Sequence, residues 1–247
     1  MAANKHIAMW TCARSRSTLM TRAFQELDGC VIYDEPFYAP YLLTQEADHP
    51  HKSEMIELYE TDYKKVIRKI TGDLPEEASF SFQKHTANNL PASNDLHWLM
   101  NFDNFFLIRH PKEIIQSRQN IYDYPKKFTL HEIGMEDLYN LFILIQGLTG
   151  EVPIVVDSTD LVKNPTKILN ALCMKLGVRY SDNMLTWRSG IRETDPVWAK
   201  TWYTTLLNSS GFIPFNQQEI ILPDHLKTVV EECLPFYERL YQYRLIV

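Results

Sequence analysis

Residues 13–18 read Ala-Arg-Ser-Arg-Ser-Thr, with two arginines and three hydroxyls in one short junction. An apolar run from His6 to Trp10 precedes it, and a helical stretch from Leu19 to Leu27 follows. The first turn of a helix presents unpaired N–H groups and a partial positive charge, which together hold a phosphate. Ser15, Ser17 and Thr18 add hydroxyl donors, and Arg14 and Arg16 add charge-assisted ones. The same residues also suit a plain helix cap on a surface turn with two solvated arginines. The nucleotide-triphosphatase pattern Gly-x-x-x-x-Gly-Lys-Ser/Thr is missing here, which argues against a kinase or an ATPase.

A second group stands at Arg109-His110-Pro111, with Ser117 eight residues after the arginine. Arg109 leaves the end of an apolar run, and Ser117 falls about two turns into the next helix. The two converge on one phosphate if that helix leans over the site. The bland alternative is an ordinary turn with a solvated arginine. Lys84-His85 closes another apolar run, and a histidine suits proton acceptance near neutral pH. Adjacent strand residues point to opposite faces, so both serve one site only if the strand has ended at Lys84. If one alone reaches the site, His85 is favoured as the base. Asp34-Glu35-Pro36-Phe37 closes a further run, while Asp157 and Asp160 read best as helix caps. The remaining histidines, His49 and His51 among them, show no metal-ligand spacing, and no metal is expected.

The elements that position these groups alternate. Apolar runs at His6 to Trp10, Cys30 to Tyr33, Ser79 to Gln83, Asn104 to Ile108 and Pro153 to Val156 predict five buried strands. Helical patterns cover Leu58 to Ile70, Lys112 to Ile121, Met135 to Leu148, Pro165 to Leu176 and Asp224 to Tyr243. A bend is expected near Pro235. Strands alternating with helices predict an α/β fold: three layers, with a mostly parallel central sheet and helices on both faces. Ligands of such sheets sit beyond the C-terminal strand ends, and every polar group named above falls at one.

A chain of 247 residues, 45% of them hydrophobic, can bury one large core, so residues 1–247 are expected to form a single domain. A net charge of −6 disfavours a nucleic-acid partner, so an anionic ligand needs a local cationic pocket. Cys12, Cys30, Cys173 and Cys233 are scattered, as in a protein of a reducing compartment. With no run long enough to span a membrane and no leader-like start, the expected location is cytoplasmic. Oligomeric state leaves no trace.

The junction resembles the 5′-phosphosulfate loop of sulfotransferases that use 3′-phosphoadenosine 5′-phosphosulfate (PAPS), written Pro-Arg/Lys-Ser-Gly-Ser/Thr-Thr-Leu/Trp. Arg14 takes the place of the basic residue and Thr18 that of the last hydroxyl, but Arg16 replaces the usual glycine. The run from Phe105 to Ser117 resembles the family's 3′-phosphate motif, which assigns that phosphate to Arg109 and Ser117. The family commonly carries Lys-x-His where this chain has Lys84-His85. Related sequences often have Glu-Pro where Glu35-Pro36 stands, which places Glu35 in the acceptor pocket or makes it an alternative base. A basic loop in the family closes over the nucleotide, making Arg188 and Arg192 candidates for that contact.

The resemblance implies a P-loop-like fold and sulfuryl transfer from PAPS to a hydroxyl or amine of a small molecule. The implied roles are His85 as base, Lys84 and Arg14 as charge stabilisers, and Arg14, Ser15, Arg16, Ser17, Thr18, Arg109, Ser117 and Arg188 as nucleotide contacts. Glu35, Phe37 and Tyr38, with Tyr33, Tyr41, Tyr122 and Tyr124, suggest an acceptor wall. Trp198, Trp202 and Tyr203 suit either stacking on a ligand or a packed corner. Two rival readings stay open: a non-catalytic nucleotide-binding or interaction protein on the same fold, and a P-loop phosphotransferase.

Overall fold

The structure is a computed structural model that describes residues 4–44, 51–91, 95–120, 128–213 and 219–247. Five strands, β1 (His6–Thr11), β2 (Cys30–Asp34), β3 (Phe80–Thr86), β4 (Asp103–Ile108) and β5 (Ile154–Asp157), form one sheet in the order β2-β3-β1-β4-β5. Every pairing is parallel. The chain therefore leaves the central strand for one edge, returns through β3, and crosses to the other side. The C-terminal ends of β1, β3 and β4 share one rim, where such topology leaves a ligand crevice.

Helices cover both faces. On one side α1 (Ser17–Gln25) packs Met20 and Phe24 against Met9 and Phe82. The stretch between β2 and β3 carries α2 (Tyr38–Thr44), α3 (Lys52–Leu58) and α4 (Tyr63–Ile70). Beyond β4 come α5 (Pro111–Gln119), α6 (Leu130–Ile133) and α7 (Met135–Thr149). After β5 follow α8 (Ser158–Lys163), α9 (Pro165–Lys175), α10 (Ala199–Trp202), α11 (Thr204–Leu207) and α12 (Asp224–Tyr241). Leu169 and Leu172 of α9 join the α1 side, while residues of α4, α5, α7 and α12 pack on the opposite face around Trp10 and Phe106. The two clusters use alternate strand residues, the two-residue period of a sheet buried on both faces.

Two expectations shift. The helical pattern from Leu58 to Ile70 is split, because the Asp62 side chain accepts from the amides of Lys64 and Lys65 and starts α4 anew. The third strand continues past Gln83 to Thr86, since Lys84, His85 and Thr86 pair in register with Met9, Trp10 and Thr11. The last helix runs through Pro235. Asp157 caps α8 by accepting from the amides of Thr159 and Asp160, at 2.8 and 3.1 Å. No helix among the described residues is long and apolar enough to cross a membrane.

Candidate active site

The junction after β1 enters α1 through a left-handed turn. Arg16 is the residue before the helix, with φ 64° and ψ 22°, and no side chain caps the helix start. Arg14 is also left-handed, with φ 71°. Each such conformation costs a residue with a Cβ about 1 kcal/mol, and strain of this kind gathers at functional sites. The turn leaves the first amides of α1 facing the rim without a side-chain partner. The hydroxyl of Ser15 is buried and unpartnered. Ser17 begins the helix and Thr18 follows it, so the plain Ser/Thr cap that this run also suited is not made.

The second motif meets the first. Arg109 donates from Nη1 to the carbonyl oxygen of Arg14 at 2.7 Å. Arg14 donates from Nε to the Ser117 hydroxyl at 3.2 Å and from Nη1 to the carbonyl of Trp202 at 2.9 Å. The α5 helix thus leans over the loop, as convergence of Arg109 and Ser117 requires. Burial lowers the pKa of Arg109 to about 10, with the nearby Arg16 charge acting in the same sense. Glu113, one turn beyond Arg109, pairs with both Arg109 and Arg16 at 2.9 Å. Burial opposes its ionisation, but the two guanidinium groups overcome this and hold its pKa below the usual carboxylate range. The i,i+4 spacing of Arg109 and Glu113 was readable in the sequence; the partnership with Arg16 was not.

Beside the loop, Lys84 is buried and held by four groups. Its ammonium lies 2.7 Å from Glu35, 2.9 Å from Asp34, 2.7 Å from the Tyr203 hydroxyl and 3.5 Å from that of Thr18. Tyr203 in turn donates to Asp34 at 3.0 Å. Burial works against the Lys84 charge, yet the carboxylates of Asp34 and Glu35 raise its pKa well above the ordinary value. Burial, then the negative charge of Asp34, raises the Tyr203 phenol strongly and keeps it protonated. Glu35 has φ 50°, a third left-handed residue on the same rim. Its side chain keeps 14% exposure where Asp34 and Lys84 keep 3%, so Glu35 is the carboxylate open to a ligand. Thr86 lies two residues past Lys84, hence on the same face, with a buried hydroxyl that has no partner. Asp34 and Thr86 were not singled out from sequence, and Tyr203 was read only as a stacking or packing aromatic. Extending β3 by strand alternation would have pointed to Thr86, whereas nothing local marks Tyr203 as a partner of Lys84 and Asp34.

His85 is elsewhere. Because β3 runs on to Thr86, His85 points to the face opposite Lys84, where it stacks on Trp10 at 4.5 Å and packs near Phe37 and Phe102. Its Nε2 sits 3.2 Å from Oε1 of Gln83, whose own amide nitrogen donates to Ile70 and Ser81. That network assigns the proton to Nε2 and leaves Nδ1 bare and unpartnered. Burial drives the His85 pKa down to about 3. The expectation of His85 as base is therefore corrected: it is a neutral core side chain without access to the loop.

Other placements also differ from expectation. Phe37 is 2% exposed and packs against Tyr63, His85 and Trp98 inside the core. Tyr38 packs on Tyr41 and Trp198, within a satellite cluster that includes Trp202 and Tyr203. Arg188 lines a pocket with Glu26, Asn183, Thr186 and Trp187. Glu26 ends α1 and Arg16 precedes it, so this pocket is about 15 Å from the loop along the helix. Arg192 is bound there too, to Glu26 at 2.7 Å. The structure thus takes Arg188 and Arg192 away from the loop after β1. Tyr122, Tyr124 and His49 lie outside the described residues. Among the described residues no cluster of three or more His, Cys, Asp or Glu is arranged to hold a metal ion.

Comparison with known proteins places the chain in a family. A sulfotransferase domain family model matches residues 5–243. Branched-chain-amino-acid aminotransferase-like protein 2 of Arabidopsis thaliana is 30% identical over 231 residues, covering 94% of this chain and 40% of that protein. The aminotransferase-like protein 1 of the same plant is 27% identical, covering 96% of this chain and 42% of its own length. The chain thus spans about two fifths of the length of the curated relatives it matches. A crystal structure of a sulfotransferase from Alicyclobacillus acidocaldarius superposes over 100% of this chain and 98% of that one, with a TM-score of 0.58 at 13% identity. That likeness concerns the fold, while the family match runs through the loop after β1, the Arg109–Ser117 segment and the Lys84 strand. The chain belongs to the sulfotransferase domain family.

Proposed function

We propose that this sulfotransferase-family chain moves a sulfuryl group from PAPS to a hydroxyl or amine of a small acceptor, and that residues 1–247 act as one domain. The observation that carries the reading is the meeting of Arg14, Arg109 and Ser117 at the uncapped start of α1, next to the Lys84–Glu35 pair. The free amides and the hydroxyls of Ser15, Ser17 and Thr18 suit the 5′-phosphosulfate, with Arg14 as its counter-charge. Arg109 and Ser117 suit the 3′-phosphate, and Arg16 adds to the cationic rim.

The proton-accepting role falls to Glu35, the partly open carboxylate beside Lys84. Glu35 takes the acceptor's proton as the acceptor atom bonds to sulfur. The bond from sulfur to the bridging oxygen breaks, and its electron pair leaves with the 5′-phosphate. Lys84 and Arg14 stabilise that growing charge. Thr86 follows on the same face of β3, with its hydroxyl buried and unpartnered. Phe37 acts on the acceptor side only from behind, as packing, and Tyr38 lies nearer the α10 corner.

The test is direct. Calorimetry should show binding of adenosine 3′,5′-bisphosphate, and radiolabelled PAPS should transfer sulfate to members of a phenol, alcohol and amine panel. Binding without transfer to any acceptor would favour the non-catalytic reading, and binding of neither would remove the nucleotide from the site.

A further inference from the structure

Arg16 stands where the resembled loop has glycine, and its side chain does not turn toward the Lys84 cluster. It crosses to the ends of β4 and β5. Its Nη2 lies 2.9 Å from Oε2 of Glu113, the same oxygen that Nε of Arg109 approaches at 2.9 Å. Its Nη1 lies 3.4 Å from the Ser158 hydroxyl and 3.3 Å from that of Thr159. Thr159 in turn donates to the other Glu113 oxygen at 3.2 Å. Two guanidinium groups therefore converge on one carboxylate oxygen at the rim, with 23%, 13% and 18% side-chain exposure for Arg16, Arg109 and Glu113. Such a pair is a ready seat for a dianion, because guanidinium forks match phosphate as they match carboxylate. With Glu113 counted, the cluster still carries one net positive charge.

We infer that Arg16 serves as a second guanidinium for the 3′-phosphate of the nucleotide, beside Arg109, and not as part of the 5′-phosphosulfate cradle. This rests on the co-substrate reading above and assigns the residue that makes this chain discriminate for a 3′-phosphate. Glu113 occupies the seat in the free protein and gives way to the stronger dianion. The left-handed φ of 64° is the cost of placing an arginine at this position, and the side chain's reach across three strand ends is what it provides.

The test compares two nucleotides by isothermal titration calorimetry, adenosine 3′,5′-bisphosphate and adenosine 5′-monophosphate. The variant Arg16→Gly restores the resembled loop and suits a positive φ, so it is expected to fold. It should bind the bisphosphate about tenfold to a hundredfold more weakly, the worth of charge-assisted hydrogen bonds, while the monophosphate changes by less than about threefold. Glu113→Gln should tighten the bisphosphate and leave the monophosphate unmoved. Equal losses for both nucleotides in Arg16→Gly, or no loss at all, overturn the Arg16 assignment and leave the co-substrate reading standing. Binding of neither nucleotide by the wild type overturns both.

Discussion

Arg14 and Ser117, 103 residues apart in sequence, are joined by a hydrogen bond from Nε to Oγ at 3.2 Å. The contact ties the loop after β1 to the helix after β4, and the Arg109 guanidinium doubles it by donating to the Arg14 carbonyl. One cationic rim is thus built from two chain segments on adjacent strands. Ser117→Ala should weaken adenosine 3′,5′-bisphosphate by about tenfold while changing turnover at saturating PAPS much less. Titration calorimetry and steady-state kinetics check this, and an unchanged dissociation constant would place Ser117 outside the nucleotide site.

The placement of Glu35 and His85 on opposite faces gives a paired expectation. Glu35→Gln keeps the shape but cannot take a proton, so kcat should fall by about a hundredfold to ten-thousandfold with the bisphosphate still bound. His85→Phe preserves a ring against Trp10 and should retain turnover within about threefold. A reversal of these two results in a sulfate-transfer assay would return the base to His85.

The buried His85 also makes a pH prediction. Its pKa in the folded chain is about 3, below the ordinary 6.5, so the unfolded chain binds the extra proton first. Stability from keeping this ring neutral is complete above about pH 6.5 and is lost as pH falls toward 3. At pH 4 the loss from this one group is about 3 kcal/mol. His85→Phe should remove that part of the acid sensitivity, so the difference in urea midpoint between variant and wild type should move in the variant's favour between pH 6.5 and 4. Parallel pH profiles for the two proteins would contradict the buried neutral ring.

Lys84 neutralises two carboxylates that have little water. Lys84→Met should destabilise the fold by about 3–5 kcal/mol, the usual consequence of stranding a buried charge. Combining it with Asp34→Asn and Glu35→Gln should recover much of that loss, because no charge is then left unpaired. Chemical denaturation of the single and triple variants tests this. An additive loss in the triple variant would show that the lysine acts through packing.

Tyr203 holds the same cluster from a distant segment. Tyr203→Phe removes a donor to Asp34 and an acceptor for Lys84, and should cost about 1–3 kcal/mol in denaturation midpoints. An unshifted midpoint would mean that water replaces the phenol without loss.

The sequence alone determined the layers and the rim. Five apolar runs separated by helical patterns admit little besides a parallel sheet covered on both faces, and the structure has five parallel strands in those places. The polar groups after Trp10, Tyr33 and Ile108 sit at strand ends because an apolar run stops where the chain reaches solvent. Arg109 and Ser117 could be paired in advance for that reason, since each is fixed by its distance from a strand end, whereas the contact of Arg14 with both could not. What only the tertiary structure decided is which way each side chain faces and what waits there. Three further residue pairs in β3 turned His85 into the core and left Lys84 and Thr86 at the rim. Side-chain direction in a strand inverts with every residue, so an error of one in a boundary exchanges a base for a core ring. Arg188 was misplaced for a different reason: the loop that carries it packs beside Glu26, at the far end of α1. Long-range contacts of that kind, like those of Tyr203 with Asp34 and of Arg16 with Glu113, depend on how segments fold back over each other, and local sequence carries no record of it.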